Sequence, residues 1–171
     1  NAAGKVFAPQ GTKDYSTYIA RIRQANPQAL YVALAGDDAT AFFKQAGQFK
    51  LGERIQIVTE TVDLLNIKPV GDSAVGLVGS TRYTFSYDDP VNNAFVKTFQ
   101  AEYKEVPDTW DGEQWQACQF LEAAIRKARS TETGALMKAL EGMALQTVKG
   151  KVVMRACDHQ AEQQGFVVRV V

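Results

Sequence analysis

The sequence predicts an α/β fold in which a parallel sheet is flanked by helices, with further helices and a C-terminal β-hairpin after it. Three observations carry this reading. Short apolar runs alternate with segments of helical period as far as Thr81, the pattern of consecutive βαβ units. After Tyr83, three helical segments follow one another with no strand between them. From Val148 onward the pattern returns to β-like runs.

Lys5 to Pro9 is the first apolar, strand-like run. Gly11-Thr12-Lys13-Asp14 punctuates it, and Asp14 suits an N-cap. Tyr15, Tyr18, Ile19 and Ile22 then recur at helical spacing, and Asn26-Pro27 stops the helix. Ala29 to Ala35 is apolar on both faces, as a parallel strand covered on both sides requires. Gly36-Asp37-Asp38 reads as a turn into a helix from Ala39 to Phe49, which buries Phe42, Phe43, Ala46 and Phe49. Ile55 to Thr59 is the next strand, Val62 to Ile67 a short helix, and Val75 to Ser80 another strand.

Ser86 to Pro90 reads as a loop. Helices are then expected over Val91 to Lys104, Asp111 to Arg129 and Glu132 to Glu141. The first buries Phe95, Phe99 and Tyr103; the second carries a wide apolar face of Trp115, Cys118, Leu121, Ala124 and Ile125. Val148 to Met154 and Phe166 to Val171 are expected to pair as a hairpin with a long polar loop. The later helices have no evident sheet to cover, so a sheet from elsewhere or a second copy of the chain is expected against Phe95, Phe99, Trp115 and Leu121.

Composition narrows the function. Lys plus Arg equals Asp plus Glu at 19 each, and no basic run tracks phosphates, so nucleic acid is not an expected partner. No apolar stretch reaches the roughly 20 residues of a membrane-spanning helix. Cys118 and Cys157 lack metal or redox spacing; Cys118 is expected buried, with a disulfide to Cys157 as the alternative. No nucleophile elbow and no glycine-rich phosphate loop occurs, and the single histidine, His159, sits in a hairpin loop. No catalytic residue, metal ligand or cofactor is expected. Asp37-Asp38 could be an acidic pair for a metal or a phosphoryl group, but acids ahead of a helix ordinarily serve its N-terminus.

Several stretches, in order, resemble a known family. They are Gly11-Thr12-Lys13-Asp14-Tyr15-Ser16-Thr17-Tyr18-Ile19, Asn26 to Val32, Phe43-Lys44-Gln45-Ala46, Asp88-Asp89-Pro90 with Asn93-Ala94-Phe95-Val96, and Gly150 to Arg155 with Asp158-His159-Gln160. Together they look like the substrate-binding proteins of branched-chain amino-acid (Leu/Ile/Val-type) ABC transporters, which have the type I periplasmic-binding fold. At Tyr15 the family pattern has Phe.

The resemblance implies two α/β lobes that close on a ligand, with this chain as the C-terminal half. It implies that residues 1–82 and 145–171 belong to the second lobe and that 83–144 gives helices to the first. It implies a periplasmic binding module serving an inner-membrane ABC permease, with an amino acid or related organic acid as ligand. A ligand-sensing module of the same fold, or a fragment that binds nothing alone, is the alternative.

Ligands of open α/β sheets bind at the carboxyl ends of the strands. Here those ends carry Ala35-Gly36-Asp37, Thr59-Glu60-Thr61 and the stretch Thr81 to Tyr83. By resemblance, Glu60 stands where a family carboxylate meets the ligand's ammonium group, and Thr61 competes for that position. The plain alternative is that Glu60 caps the following helix. Trp110 resembles an aromatic wall of the pocket, or else is a packing Trp. Ala35 replaces a Tyr that several amino-acid binders carry, which enlarges the pocket and admits aromatic acids.

Overall fold

The computed structural model describes residues 2–171. The α/β architecture is present, and the chain divides into two compact units. One runs to Thr81 and takes in Val167–Val171; the other is Arg82–Phe166.

The first unit is built on helix α1 (Ser16–Ala25), strand β1 (Ala29–Val32), helix α2 (Gly36–Gln48), strand β2 (Gln56–Thr59), short helix α3 (Leu64–Ile67) and strand β3 (Val78–Thr81). β1 pairs with β2 in parallel, Tyr31 opposite Val58 and Val32 opposite Thr59, and β2 pairs with β3 in parallel. The sheet is completed by β7 (Phe166–Arg169) beside β3. Its core gathers Ile19 and Ile22 of α1, Phe42, Phe43 and Ala46 of α2, and Val32 and Ile57 of the sheet, as the helical and strand periods require. The Tyr15 ring meets Phe42 edge-on, 5.5 Å between centroids.

Several expectations are corrected within this unit. Lys5 to Pro9 forms no strand, and Phe7 is exposed; the run finds no pairing partner. β1 is covered on one face only, since Tyr31 is exposed while Val32 is buried. Gly36-Asp37-Asp38 is the first turn of α2 rather than a loop before it. Phe49 caps that helix and is partly exposed. The N-cap of α1 is Tyr15 rather than Asp14; Asp14 accepts from the Ser16 N–H at 2.8 Å, which holds its carboxyl below the ordinary carboxylate range.

The second unit holds helices α4 (Pro90–Tyr103), α5 (Thr109–Ala128) and α6 (Thr133–Leu140), then strands β4 (Ala144–Thr147), β5 (Gly150–Met154) and β6 (Ala161–Glu162). Asp89 caps α4 by accepting from Val91 N–H, with Pro90 at the first helical position. Asp108 and Asp111 close a capping box at the start of α5. β4 and β5 form a tight antiparallel hairpin through Val148-Lys149, and β6 pairs with β5. The tail therefore pairs differently from expectation: Val148 to Met154 does not lie against Phe166 to Val171, because β7 joins the parallel sheet instead.

The helices of this unit do find a sheet. Phe120 and Ala124 of α5 and Ala139 of α6 pack with Met143 and Val152, next to Leu145 and Met154. The part of the α5 stripe this leaves outside carries Trp115, Leu121 and Cys118, all exposed; for Cys118, and for Tyr103 of α4, which is exposed as well, this corrects the expected burial. Cys118 and Cys157 are both free thiols.

Candidate functional site

In the first unit, the carboxyl ends of the parallel strands are fixed by hydrogen bonds that leave side chains outward. The Val32 carbonyl accepts from Thr59 Oγ1 at 3.2 Å and from Glu60 N–H at 3.3 Å. The Glu60 carbonyl accepts from Ser80 Oγ, and Val62 N–H donates to the Ser80 carbonyl at 2.8 Å. The Glu60 backbone is thus clamped between β1 and β3 while its side chain and that of Thr61 stay exposed. Thr59, one residue earlier, is buried, so the alternation of the strand turns Glu60 away from the core.

The alternative role for Glu60 belongs to another acid. Asp63 is the N-cap of α3, its carboxylate accepting from Asn66 N–H at 3.0 Å. Glu60 stands clear of that helix start and is not its cap.

Ala35, Gly36 and Asp37 are exposed at the neighbouring strand end. Ala35 is extended and caps α2 with no side-chain acceptor; Gly36 follows with φ of 55°, a turn that glycine makes without steric cost. Asp38 is drawn back to the chain before α1, both its oxygens 3.1 Å from Gly11 N–H. Asp37 and Asp38 therefore act in the first turn of α2, where negative charge is favoured, and among the described residues no group of His, Cys, Asp and Glu could hold a metal. A cavity of about 190 Å³, lined by Gly47, Gln56, Gly76 and Arg169, lies at the opposite, amino-terminal ends of β2 and β3 and involves none of these residues.

The other two expected site residues are in the second unit, and the structure treats them differently. Tyr83 is 2% exposed. Its hydroxyl donates to Asn92 Oδ1 at 2.9 Å, and its ring lies against Phe95. Burial raises its phenol above the ordinary tyrosine value, and the nearby Asp111 charge adds to the rise. This is a core position, which sequence spacing could not separate from the strand end two residues earlier. Trp110, on the first turn of α5, is 56% exposed and offers its indole to solvent. The Arg82 guanidinium carbon lies 4.6 Å from the centre of that ring. Arg82 carried no motif signal, and a contact made across the loop and α4 leaves none.

His159 is exposed, its ring nitrogen 3.1 Å from Glu141 Oε1.

Comparison with known proteins agrees with the architecture. A family model described as periplasmic binding protein matches residues 1–171. No curated protein matches the chain. Among solved structures, an amino acid ABC transporter substrate-binding protein from Pseudomonas fluorescens Pf-5 is similar over 99% of this chain and 46% of its own, at 22% identity and a TM-score of 0.89. A solute-binding protein of an R. palustris ABC transporter, solved in complex with benzoate, is similar over 96% of this chain and 46% of its own, at 22% identity and a TM-score of 0.83. An ABC-type branched-chain amino acid transporter protein from Rhodopseudomonas palustris CGA009 covers 94% and 44%, at 27% identity and a TM-score of 0.73. The chain spans under half the length of these structures.

Proposed function

The chain belongs to the periplasmic binding protein family, and on that premise we propose that it is the C-terminal half of an extracytoplasmic solute receptor serving an ABC permease. The observation that carries this is the clamped strand end of the first unit. There Glu60 and Thr61 are held outward at the carboxyl end of β2, beside Ala35 to Asp37 at the end of β1. A rigid backbone with free polar side chains is what reversible recognition of a small molecule needs, because little order has to be imposed on binding.

In this reading Glu60 meets the ammonium group of an amino-acid solute. A carboxylate facing a partly dehydrated ammonium forms a charge-assisted hydrogen bond, the stronger kind. Thr61 adds a hydroxyl that donates or accepts. Gly36 allows close approach of the solute to the start of α2, where Asp37 adds to the negative charge of this pole.

Ala35 sets the solute class. A methyl group at this position leaves room that a larger side chain would fill, so the site admits solutes beyond the small aliphatic amino acids. The structural relatives with benzoate and 4-hydroxybenzoate bound are consistent with an aromatic acid. The leucine-binding protein among them is consistent with a branched aliphatic one. Turnover plays no part in this role.

A thermal-shift screen of the full-length receptor, against amino acids and against aromatic and aliphatic acids, tests the proposal. Binding to the native state alone raises the melting temperature by mass action, by an amount set by RT ln(1 + [L]/Kd). A shift with one chemical class is expected. A flat response to every compound would remove the solute-receptor reading.

A further inference from the structure

We propose that the cavity of about 190 Å³ in the first unit is a second ligand site, and that it takes a tetrahedral oxyanion, a phosphate or sulfonate, carried on one small apolar group. Its lining residues all belong to that unit, at the amino-terminal ends of β2 and β3, the pole opposite Glu60 and Ala35. The site stands whether or not the other pole binds a solute.

The floor of the cavity is apolar. Phe43 of α2, Ile57 of β2 and Leu77 ahead of β3 line it and are themselves buried. Two glycines keep it open. A β-carbon at Gly52 would meet only Ile57 Cδ1, at 3.9 Å, and one at Gly76 would meet nothing within 4 Å. The wall around Gly76 is fixed. Its carbonyl accepts from Gln56 Nε2 at 3.4 Å, and its N–H donates to the Val170 carbonyl at 3.0 Å. Val170 N–H in turn donates to the Leu77 carbonyl at 2.9 Å, which holds the end of β7 beside the cavity. An apolar cavity of about 150 Å³ holds a benzene molecule. The space here therefore takes one ring, or a branched chain of that size, with its head group at the mouth.

The mouth is polar and uncommitted. Arg169 and Ser73 both line the cavity and both are exposed. Arg169 comes from β7 and Ser73 from the short turn of helix at Gly71–Ala74, so the two reach the mouth from different elements. Among the described residues no carboxylate forms an ion pair with Arg169, and the Ser73 hydroxyl has no hydrogen-bond partner. The place of that hydroxyl depends on Gly47, where a β-carbon would collide with Ser73 Oγ and Cβ. An arginine fork engages two oxygens of an oxyanion side by side. A carboxylate has no third oxygen to offer. A tetrahedral head group has one, which accepts from the Ser73 hydroxyl.

Calorimetric titration of the full-length protein with phenyl phosphate, and with benzoate for comparison, tests the assignment. Phenyl phosphate is expected to bind the wild type. Arg169→Gln should weaken it by about ten- to a hundredfold, the range of a lost charged hydrogen bond. Gly52→Leu, which fills the cavity, should abolish binding, and Glu60→Gln at the other pole should leave it unchanged. Arg169 is exposed, so Arg169→Gln is expected to melt as the wild type does, which separates lost binding from lost folding. No binding of phenyl phosphate by the wild type, or binding indifferent to Arg169→Gln, would overturn the site. Loss of phenyl phosphate in Glu60→Gln would put the ligand at the opposite pole and overturn it equally. Benzoate weakened by Arg169→Gln as strongly as phenyl phosphate would overturn the preference for a tetrahedral head group.

Discussion

The ring of Tyr83 occupies the space that a side chain on Gly112 would need. A β-carbon at Gly112 would lie 2.6 Å from Cδ1 of that ring and closer still to Cγ and Cδ2. The contact joins the start of the second unit to the first turns of α5. It also explains a glycine inside a helix, where alanine is ordinarily better by about 1 kcal/mol.

Gly112→Ala is therefore expected to destabilise, against the usual helix trend, by about 1–3 kcal/mol through overpacking. Urea denaturation followed by circular dichroism measures this. A variant as stable as the wild type would show that the ring and helix can move apart freely.

Tyr83→Phe removes the hydroxyl that donates to Asn92. Asn92 is fully buried, and its amide already donates to the Tyr87 carbonyl at 2.7 Å, leaving Oδ1 without this donor. A loss of about 1–3 kcal/mol is expected for the stranded acceptor, read from the same denaturation curves.

The same residue gives stability a pH dependence. Burial raises the Tyr83 phenol above its ordinary 10.0, and burial likewise raises Tyr15. Above pH 10 the unfolded chain loses these protons while the native protein keeps them, so the unfolded state binds fewer protons and stability falls as pH rises. Below that pH the contribution is constant. Melting temperatures should decline from pH 10 upward, and less steeply in Tyr83→Phe; equal slopes would contradict the buried phenol.

Lys149 is completely buried in the turn between β4 and β5, and its ammonium pairs with Glu113 of α5. Removing one partner of a buried pair leaves an uncompensated charge, which costs about 3–5 kcal/mol. Because the Glu113 side chain is 26% exposed, Glu113→Gln is expected at the lower end of that range, and denaturant midpoints check it.

Glu60→Gln is expected to separate binding from folding. Its side chain is exposed, so stability should stay within about 0.5 kcal/mol of wild type, while affinity of the full-length receptor for an amino-acid solute drops by about tenfold or more. Titration alongside a melting curve shows both. Unchanged affinity would remove Glu60 from the site.

Much of the fold was legible because local periodicity carries it. The i, i+3, i+4 spacing of Tyr15 to Ile22 and the punctuation by Asn26-Pro27 place α1, and the apolar runs at Ala29 and Ile55 place the first two parallel strands. Strand ends follow from strands, which is why the expected ends at Ala35 to Asp37 and Glu60-Thr61 fall just after β1 and β2. The helix boundaries at Asp89 and Asp108 were near expectation because capping chemistry is local.

What the tertiary structure alone decided is which side of each element is covered. An apolar stripe on α5 says that some face is buried, and only the position of β4 to β6 selects Phe120 and Ala124 over Trp115, Leu121 and Cys118. Strand pairing is likewise non-local: β5 takes β4 and β6 as partners while β7 goes to β3, a choice fixed by packing between distant segments. Tyr83 and Arg82 are adjacent in sequence, yet one is core and the other stands over Trp110, because a buried hydroxyl needs a partner such as Asn92 and an exposed guanidinium does not.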